Sequence, residues 1–299
     1  NGFEIDFKMR PINFDFKNLC QRNKDGSYAT QADRFRSLQL IGSQLHELGF
    51  KGLRARNIGT KHVCALVAHW KEQGLSTGTI KNRMAHLRWV GEKTGAKIHA
   101  DNARYNIEQR ESNNQVSKAR YDVPEIENKH VQYAWELQRA FGLRREESLK
   151  FQPHFADRGD KIFLKGSWCK NGREREIPIT NQNQRDLLEK LKNFTQYSLI
   201  PREMSFKEFL SVYKQICKEN EIIALRSNEG LLKGASHGFR HAYAQQRYFE
   251  LTGRLAPNQS GVARKMMTDE QKAQDLQARQ VISSELGHNR IDVVARYIG

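Results

Sequence analysis

Cysteine is scarce in this chain: Cys20, Cys64, Cys169 and Cys217 are the only four in 299 residues. They lie far apart and form no C-x-x-C pair, so neither a zinc ribbon nor a disulfide framework is expected. Scattered thiols of this kind fit a reducing compartment, and each reads as a small packing residue. Long apolar runs are also missing. No stretch of about eighteen apolar residues occurs, which excludes a transmembrane helix. The opening residues, NGFEIDFKMRP, lack a basic segment followed by an apolar core, so no secretory signal is expected. There is no internal repeat and no low-complexity tract. Negative charge is in deficit, with 34 Asp and Glu against 50 Lys and Arg, for a net charge of +16.

That imbalance favours a polyanionic partner. A membrane surface would call for a basic amphipathic helix with a broad apolar face, or a lipidation signal. Neither is present, so nucleic acid is the preferred partner and no membrane contact is expected. The length suits two domains better than one.

Hydrophobic periodicity supplies the elements. Residues 1–28 are polar and irregular and read as an N-terminal extension. A helix is expected from Thr30, with Asp33 three residues on as a weak capping box. Phe35, Leu38, Ile41, Leu45 and Leu48 follow at helical spacing, and Gly49 can stop the helix. TKHVCALVAHWKEQG predicts a second helix with Val63, Leu66, Val67 and Trp70 on one stripe. STGTIKNRMAHLRWVGEKTG predicts a third, with Ile80, Met84 and Leu87 inward and Lys81, Arg83, Arg88 and Lys93 outward. These four basic residues are candidate DNA contacts; a solvated helix face is the plainer reading. ADNARYNIEQR adds a short fourth helix. Residues 29–110 thus form an all-α unit. The polar stretch ESNNQVSKARYDVP, residues 111–124, reads as a linker, and 125–299 as a second domain.

The second domain begins with a helix, a glycine break and another helical piece. Ile162, Phe163 and Leu164 predict a strand, Glu176 to Ile179 another, and Gly166 and Gly172 between them a hairpin. Helices then return to the end. The fold class is mainly α with a small antiparallel β-sheet.

Several polar residues stand out here. In HGFRHAYAQQRYF, His237 and Arg240 lie three apart and share a helix face. Two converging donors suit a phosphate, and the small residues of the preceding KGAS suit an anion at a helix start. In FGLRREESLKF, Arg144 and Arg145 follow a glycine break, and Glu147 is spaced to orient the Arg144 guanidinium. A surface ion pair is the ordinary explanation. Lys170 falls at the hairpin tip, eight residues before Pro178, where a lysine can act as a mobile proton donor or simply face water. The last segment, LGHNRIDVVARYIG, carries His288 and, nine residues later, Tyr297.

Taken in order, Arg144 with Glu147, Lys170, His237-x-x-Arg240, His288 in LGH and Tyr297 give the chain its resemblance to the tyrosine recombinase, or phage integrase, family. The first half also looks like the N-terminal domain of integrases carried by bacterial mobile elements. The resemblance implies an α-helical, SAM-like core-binding domain over 29–110 and a mixed α/β catalytic domain over 125–299, which together clamp double-stranded DNA. It selects Arg144 over Arg145 and Lys170 over Lys165. It implies Arg144, Lys170, His237, Arg240 and His288 as catalytic residues, Tyr297 as nucleophile and Glu147 as a supporting residue, with no cofactor and no metal. The implied activity is DNA strand cleavage and rejoining through a covalent 3′-phosphotyrosine, integrating or excising a mobile genetic element by way of a Holliday junction. The implied partners are the recombination site, a homo-tetramer assembled on DNA, and in some systems an accessory DNA-bending protein. The setting is the bacterial cytoplasm, at the nucleoid.

One stretch departs from the family pattern. Residues 253–274, GRLAPNQSGVARKMMTDEQKAQ, read as an insertion: contact with DNA or a neighbouring protomer is one reading, and a plain surface loop is the preferred one. The last helix is expected to be loosely held, letting Tyr297 swing between docked and idle states. Two alternatives remain: a type IB topoisomerase-like enzyme, and a DNA-binding regulator that kept the fold. The integrase-like N-terminal helices weigh against the first and the intact set of six residues against the second.

Overall fold

The computed structural model describes residues 10–109, 116–223, 225–226, 232–233, 235–288 and 290–299. The chain divides into two compact units, Asn1–Glu111 and Ser112–Gly299.

Among the described residues, unit 1 contains four α-helices: α1 (Pro11–Arg22), α2 (Tyr28–Glu47), α3 (Thr60–Glu72) and α4 (Thr77–Thr94). Their apolar stripes meet in a core that includes Phe16, Leu38, Ile41, Leu45, Val63, Leu66, Trp70, Met84 and Leu87. Helix α1 corrects the expectation of an irregular extension. Pro11 opens it, and Ile12 and Phe16, one turn apart, bury themselves against the other helices. Helix α2 begins earlier than Thr30. Its N-cap is Ser27, whose hydroxyl accepts the Thr30 N–H at 3.3 Å. Phe35, counted on the apolar stripe, is exposed. At the other end Gly49 takes φ +90°, with Gly49 N donating to His46 O and Phe50 N to Leu45 O, which closes the helix with paired reverse bonds. ADNARYNIEQR supplies only a single 3₁₀ turn, Ala103–Tyr105.

Unit 2 runs α5 (Lys129–Phe141), α6 (Arg145–Leu149), α7 (Pro153–Ala156), β1 (Lys161–Leu164), β2 (Arg175–Pro178), α8 (Gln182–Phe194), α9 (Phe206–Glu219), β3 (Leu225–Arg226), β4 (Leu232–Lys233), α10 (His237–Thr252), α11 (Asp269–Glu285) and α12 (Ala295–Ile298). β1 and β2 pair antiparallel, with Ile162 opposite Ile177 and Leu164 opposite Arg175. Successive strand residues alternate faces, so Arg175 shares the inner face with Ile177 and Leu164. The short β3–β4 ladder was not foreseen from the sequence. Helix α10 packs against α5, α11 and α12 and is buried almost all round, from Gly238 to Gln245. Its polar side chains are therefore forced to find partners inside the protein.

Residues 253–274 are not a plain surface loop. They hold two 3₁₀ turns, Pro257–Gln259 and Arg264–Met266, and the first turn of α11; Ala256, Asn258 and Met267 are buried. No helix among the described residues is long and apolar enough to cross a membrane.

Candidate active site

Helix α5 ends at Gly142, which takes φ +63°. A Cβ there would lie 2.5 Å from the Tyr243 ring and 2.8 Å from Leu286, so only glycine fits this turn. The turn delivers Arg144 to the N-cap of α6. Glu147, in the first turn of that helix, reaches back to accept the Arg144 backbone N–H at 2.7 Å and its guanidinium at 2.8 Å. Glu147 is completely buried. It also receives both terminal nitrogens of Arg175, at 3.0 and 2.7 Å. Burial alone would raise the Glu147 pKa. The hydrogen bonds and charge of Arg175, with Arg240 and Arg144 behind them, overturn that and hold it down at about 2.

Arg175 extends this scaffold. Its Nε donates to Glu285 O at 2.8 Å, and a Cβ on Gly287 would meet its side chain at 3.1 Å. One guanidinium therefore joins the hairpin strand, the Glu147 carboxylate and the turn after α11. Sequence reasoning missed it, although alternation from buried Ile177 points to the same face.

Arg240 has no exposed surface. Its terminal nitrogens donate to Gly142 O and Leu286 O, the carbonyls of the turns that end α5 and α11. Its Nε donates to the Tyr297 hydroxyl at 3.3 Å. Burial lowers its pKa to about 10, which still leaves it charged at neutral pH. The pocket thus gathers the guanidinium groups of Arg144, Arg175 and Arg240 around a single carboxylate, Glu147. The excess positive charge is suited to a phosphodiester.

The Tyr297 hydroxyl sits 3.2 Å from His288 Nε2 and 3.4 Å from His237 Nε2. His241, one turn after His237 on α10, lies under the Tyr297 ring with centroids 4.6 Å apart. Loss of hydration, then the charge of Arg240, then that of Arg144, holds the pKa of both His237 and His288 well below the ordinary imidazole value. Burial, then the neighbouring His237, does the same for His241. All three rings are therefore neutral at pH 7, and His237 and His288 can accept a hydrogen bond from the phenol. His237 stands at the exposed rim of the pocket.

Tyr297 itself is 5% exposed, and Val294 and Ile298 on either side of it are fully buried. The expected swinging last helix is corrected: the tyrosine is docked. Lys170 is different. It lies in an exposed 3₁₀ turn, Lys170–Gly172, between the hairpin strands, and makes no hydrogen bond or ion pair with the other five residues. Of the KGAS segment, Lys233 lies in β4 and Ser236 is the N-cap of α10, while Gly234 falls outside the described residues.

The four candidate DNA contacts of unit 1 have different surroundings. Arg88 donates to His99 O at 3.0 Å and to Asn102 Oδ1 at 2.7 Å, and Lys93 pairs with Asp25 at 3.0 Å. The Arg83 guanidinium lies 5.2 Å from the centre of the Trp70 ring. Lys81 is half-buried and forms no ion pair among the described residues.

Residues 9–100 match the family model described as phage integrase, N-terminal, and residues 103–246 match the model described as integrase. No curated protein sequence matches. Among solved structures, the Tn1549 transposon integrase in complex with circular intermediate DNA superposes with a TM-score of 0.62 at 13% identity, covering 97% of this chain and 96% of that one. A lambda integrase dimer bound to a COC′ core site gives 0.63 at 15%, covering 96% and 94%. XerH site-specific recombinase bound to a palindromic difH substrate gives 0.58 at 14%, covering 96% and 81%. The chain belongs to the tyrosine recombinase, or phage integrase, family. Its activity is site-specific DNA recombination.

Proposed function

We propose that Tyr297 is the nucleophile of this recombinase and that Arg144, Lys170, His237, Arg240 and His288 serve the same phosphodiester. One observation carries the reading: a buried tyrosine hydroxyl lies within hydrogen-bond reach of Arg240, His288 and His237 in a pocket with surplus positive charge.

The Tyr297 oxygen attacks phosphorus, and a phosphorus–tyrosine oxygen bond forms as the bond to the 5′-oxygen breaks. The DNA is left as a 3′-phosphotyrosyl ester and a free 5′-hydroxyl. His237, neutral and at the rim, takes the phenolic proton. Arg144 and Arg240 stabilise charge on the nonbridging oxygens; guanidinium forks fixed on Glu147 and on two carbonyls need little rearrangement as that charge grows. His288 adds a hydrogen bond. Lys170 protonates the leaving oxygen when DNA draws the exposed hairpin turn inward. A 5′-hydroxyl from the partner duplex reverses the step and rejoins the strand. Glu147 supports Arg144 and does not react.

In this reading both units grip the duplex, with Lys81, Arg83, Arg88 and Lys93 facing phosphates. Four copies assemble on two sites, an accessory DNA-bending protein assists where the site requires it, and the enzyme integrates or excises its element on nucleoid DNA in the bacterial cytoplasm. The net charge of +16 supports the grip on phosphates, and the likeness to a lambda integrase tetramer bound to a Holliday junction supports the assembly of four copies.

The test is a nicked duplex carrying the recombination site mapped from the element's ends. Wild type should trap a covalent protein–DNA adduct on Tyr297, and Tyr297→Phe should trap none. An adduct of equal yield in the Phe variant removes the nucleophile assignment.

A further inference from the structure

The turn that carries Tyr297 is too short to hold itself. Helix α12 has four residues, and the carbonyls at a helix end have no partner within the helix. The Tyr297 carbonyl is nevertheless satisfied twice. Gln245 Nε2, from α10, and Asn258 Nδ2, from the insertion, each donate to it at 2.9 Å. Both side chains are buried, Gln245 completely. They also meet each other, with Gln245 Nε2 at 3.2 Å from Asn258 Oδ1. The insertion presses closely on the chain beyond the tyrosine: a Cβ on Gly299 would lie 2.9 Å from the Asn258 backbone nitrogen.

The far side of this pair is anchored as well. Ser117 and Tyr121, on the segment by which the chain enters unit 2, donate to Gln245 Oε1 at 3.2 and 2.5 Å. Gln259, beside Asn258, donates to the Tyr121 hydroxyl.

We propose that Asn258 and Gln245 are positioning residues, an amide clasp that sets how deeply the Tyr297 hydroxyl enters the pocket of Arg240 and His288. The proposal rests on Tyr297 being the nucleophile. It gives the insertion a part in the reaction, exerted through the tyrosine backbone and not through DNA. Misplacement of a nucleophile by about an ångström is enough to cost a hundredfold in rate, so a clasp on its backbone bears directly on cleavage.

The experiment is single-turnover cleavage of the same nicked duplex, prebound at saturation, by wild type, Asn258→Asp, Asn258→Ala and Tyr297→Phe. At about pH 8 the carboxylate of Asn258→Asp has no hydrogen to give the Tyr297 carbonyl, and cleavage should fall about tenfold or more. Toward about pH 5.5 a buried acid takes up a proton, and its hydroxyl can donate to the same carbonyl. The rate of Asn258→Asp relative to wild type should therefore climb as pH falls, while that of Asn258→Ala stays low and flat. The same pH-independent loss in both variants would show that the hydrogen donated to the Tyr297 carbonyl does not matter, and that result overturns the clasp. Wild-type cleavage by Asn258→Asp at about pH 8 overturns it equally. Binding of the duplex, measured on the same samples, reports folding. If neither variant folds, Tyr121→Phe removes one bond to Gln245 at a more accessible edge and should slow cleavage about twofold; an unchanged rate counts against the clasp. Failure of wild type to form a Tyr297-dependent adduct would sink the nucleophile assignment instead.

Discussion

The two units treat their charges in opposite ways. Unit 1 encloses a largely apolar core with Arg34 and His62 buried at its edge, and its ion pairs, such as Arg54 with Asp15 and Lys93 with Asp25, lie toward the surface. Unit 2 buries Glu147, Arg175, Arg240, His241, Asp275, Arg279 and Glu285. Burying a charge is costly even when it is paired, and apolar residues of similar volume would often give a more stable core. The contrast shows where the molecule gives up stability for chemistry: unit 1 can be explained by folding alone, and unit 2 cannot.

Arg240→Lys should separate the units most sharply. An ammonium cannot reach Gly142 O, Leu286 O and the Tyr297 hydroxyl at once, so single-turnover cleavage should drop by about a hundredfold or more. A loss smaller than about fivefold would mean that this buried charge is structural, as in any ion pair. Next in size is Glu147→Gln. The folded protein holds the Glu147 pKa at about 2, below its ordinary value, so the unfolded chain binds the proton more readily. The resulting stabilisation, about 3 kcal/mol, is fully present above about pH 4.5 and is lost as pH falls from there toward 2. Denaturant unfolding followed against pH should show that loss in wild type and a flatter acid limb in Glu147→Gln. Asp25→Asn in unit 1 should flatten the limb less, because the Asp25 carboxylate, also held below its ordinary value by Trp89 and Lys93, is exposed to solvent. The smallest effect is expected from Lys81→Ala. Its DNA affinity should weaken by less than about tenfold, and the slope of log affinity against log salt should shrink by about one. An unchanged slope would place Lys81 off the DNA.

The same contrast governs what could be read in advance. Helices α3 and α4 were legible because their apolar residues recur on one stripe facing one core. Helix α1 was not, because Ile12 and Phe16 are its only well-buried apolar residues in a polar stretch. In unit 2 the family resemblance, carried by the order of the charged residues, marked the site; His237, Arg240 and His288 come together around the Tyr297 hydroxyl, while Arg144 is held by Glu147 and Gly287 O. Arg175 escaped because RERE disguises an alternating strand as a charged surface. Gln245 and Asn258 escaped for a different reason. Their partner is a backbone carbonyl, which every residue has, so no sequence pattern marks the pair. The position of Lys170 in the turn between β1 and β2 was legible.

The guanidinium of Arg240 is sealed among carbonyls and has no carboxylate of its own. Viewed as a folding problem, the pocket is a salt bridge with one partner left out, and a DNA phosphate is the partner we propose. Substrate should then act as a structural ligand as well as a reactant, since any anion that binds only the native state stabilises it by mass action. A recombinase built this way is sturdiest when seated on its site.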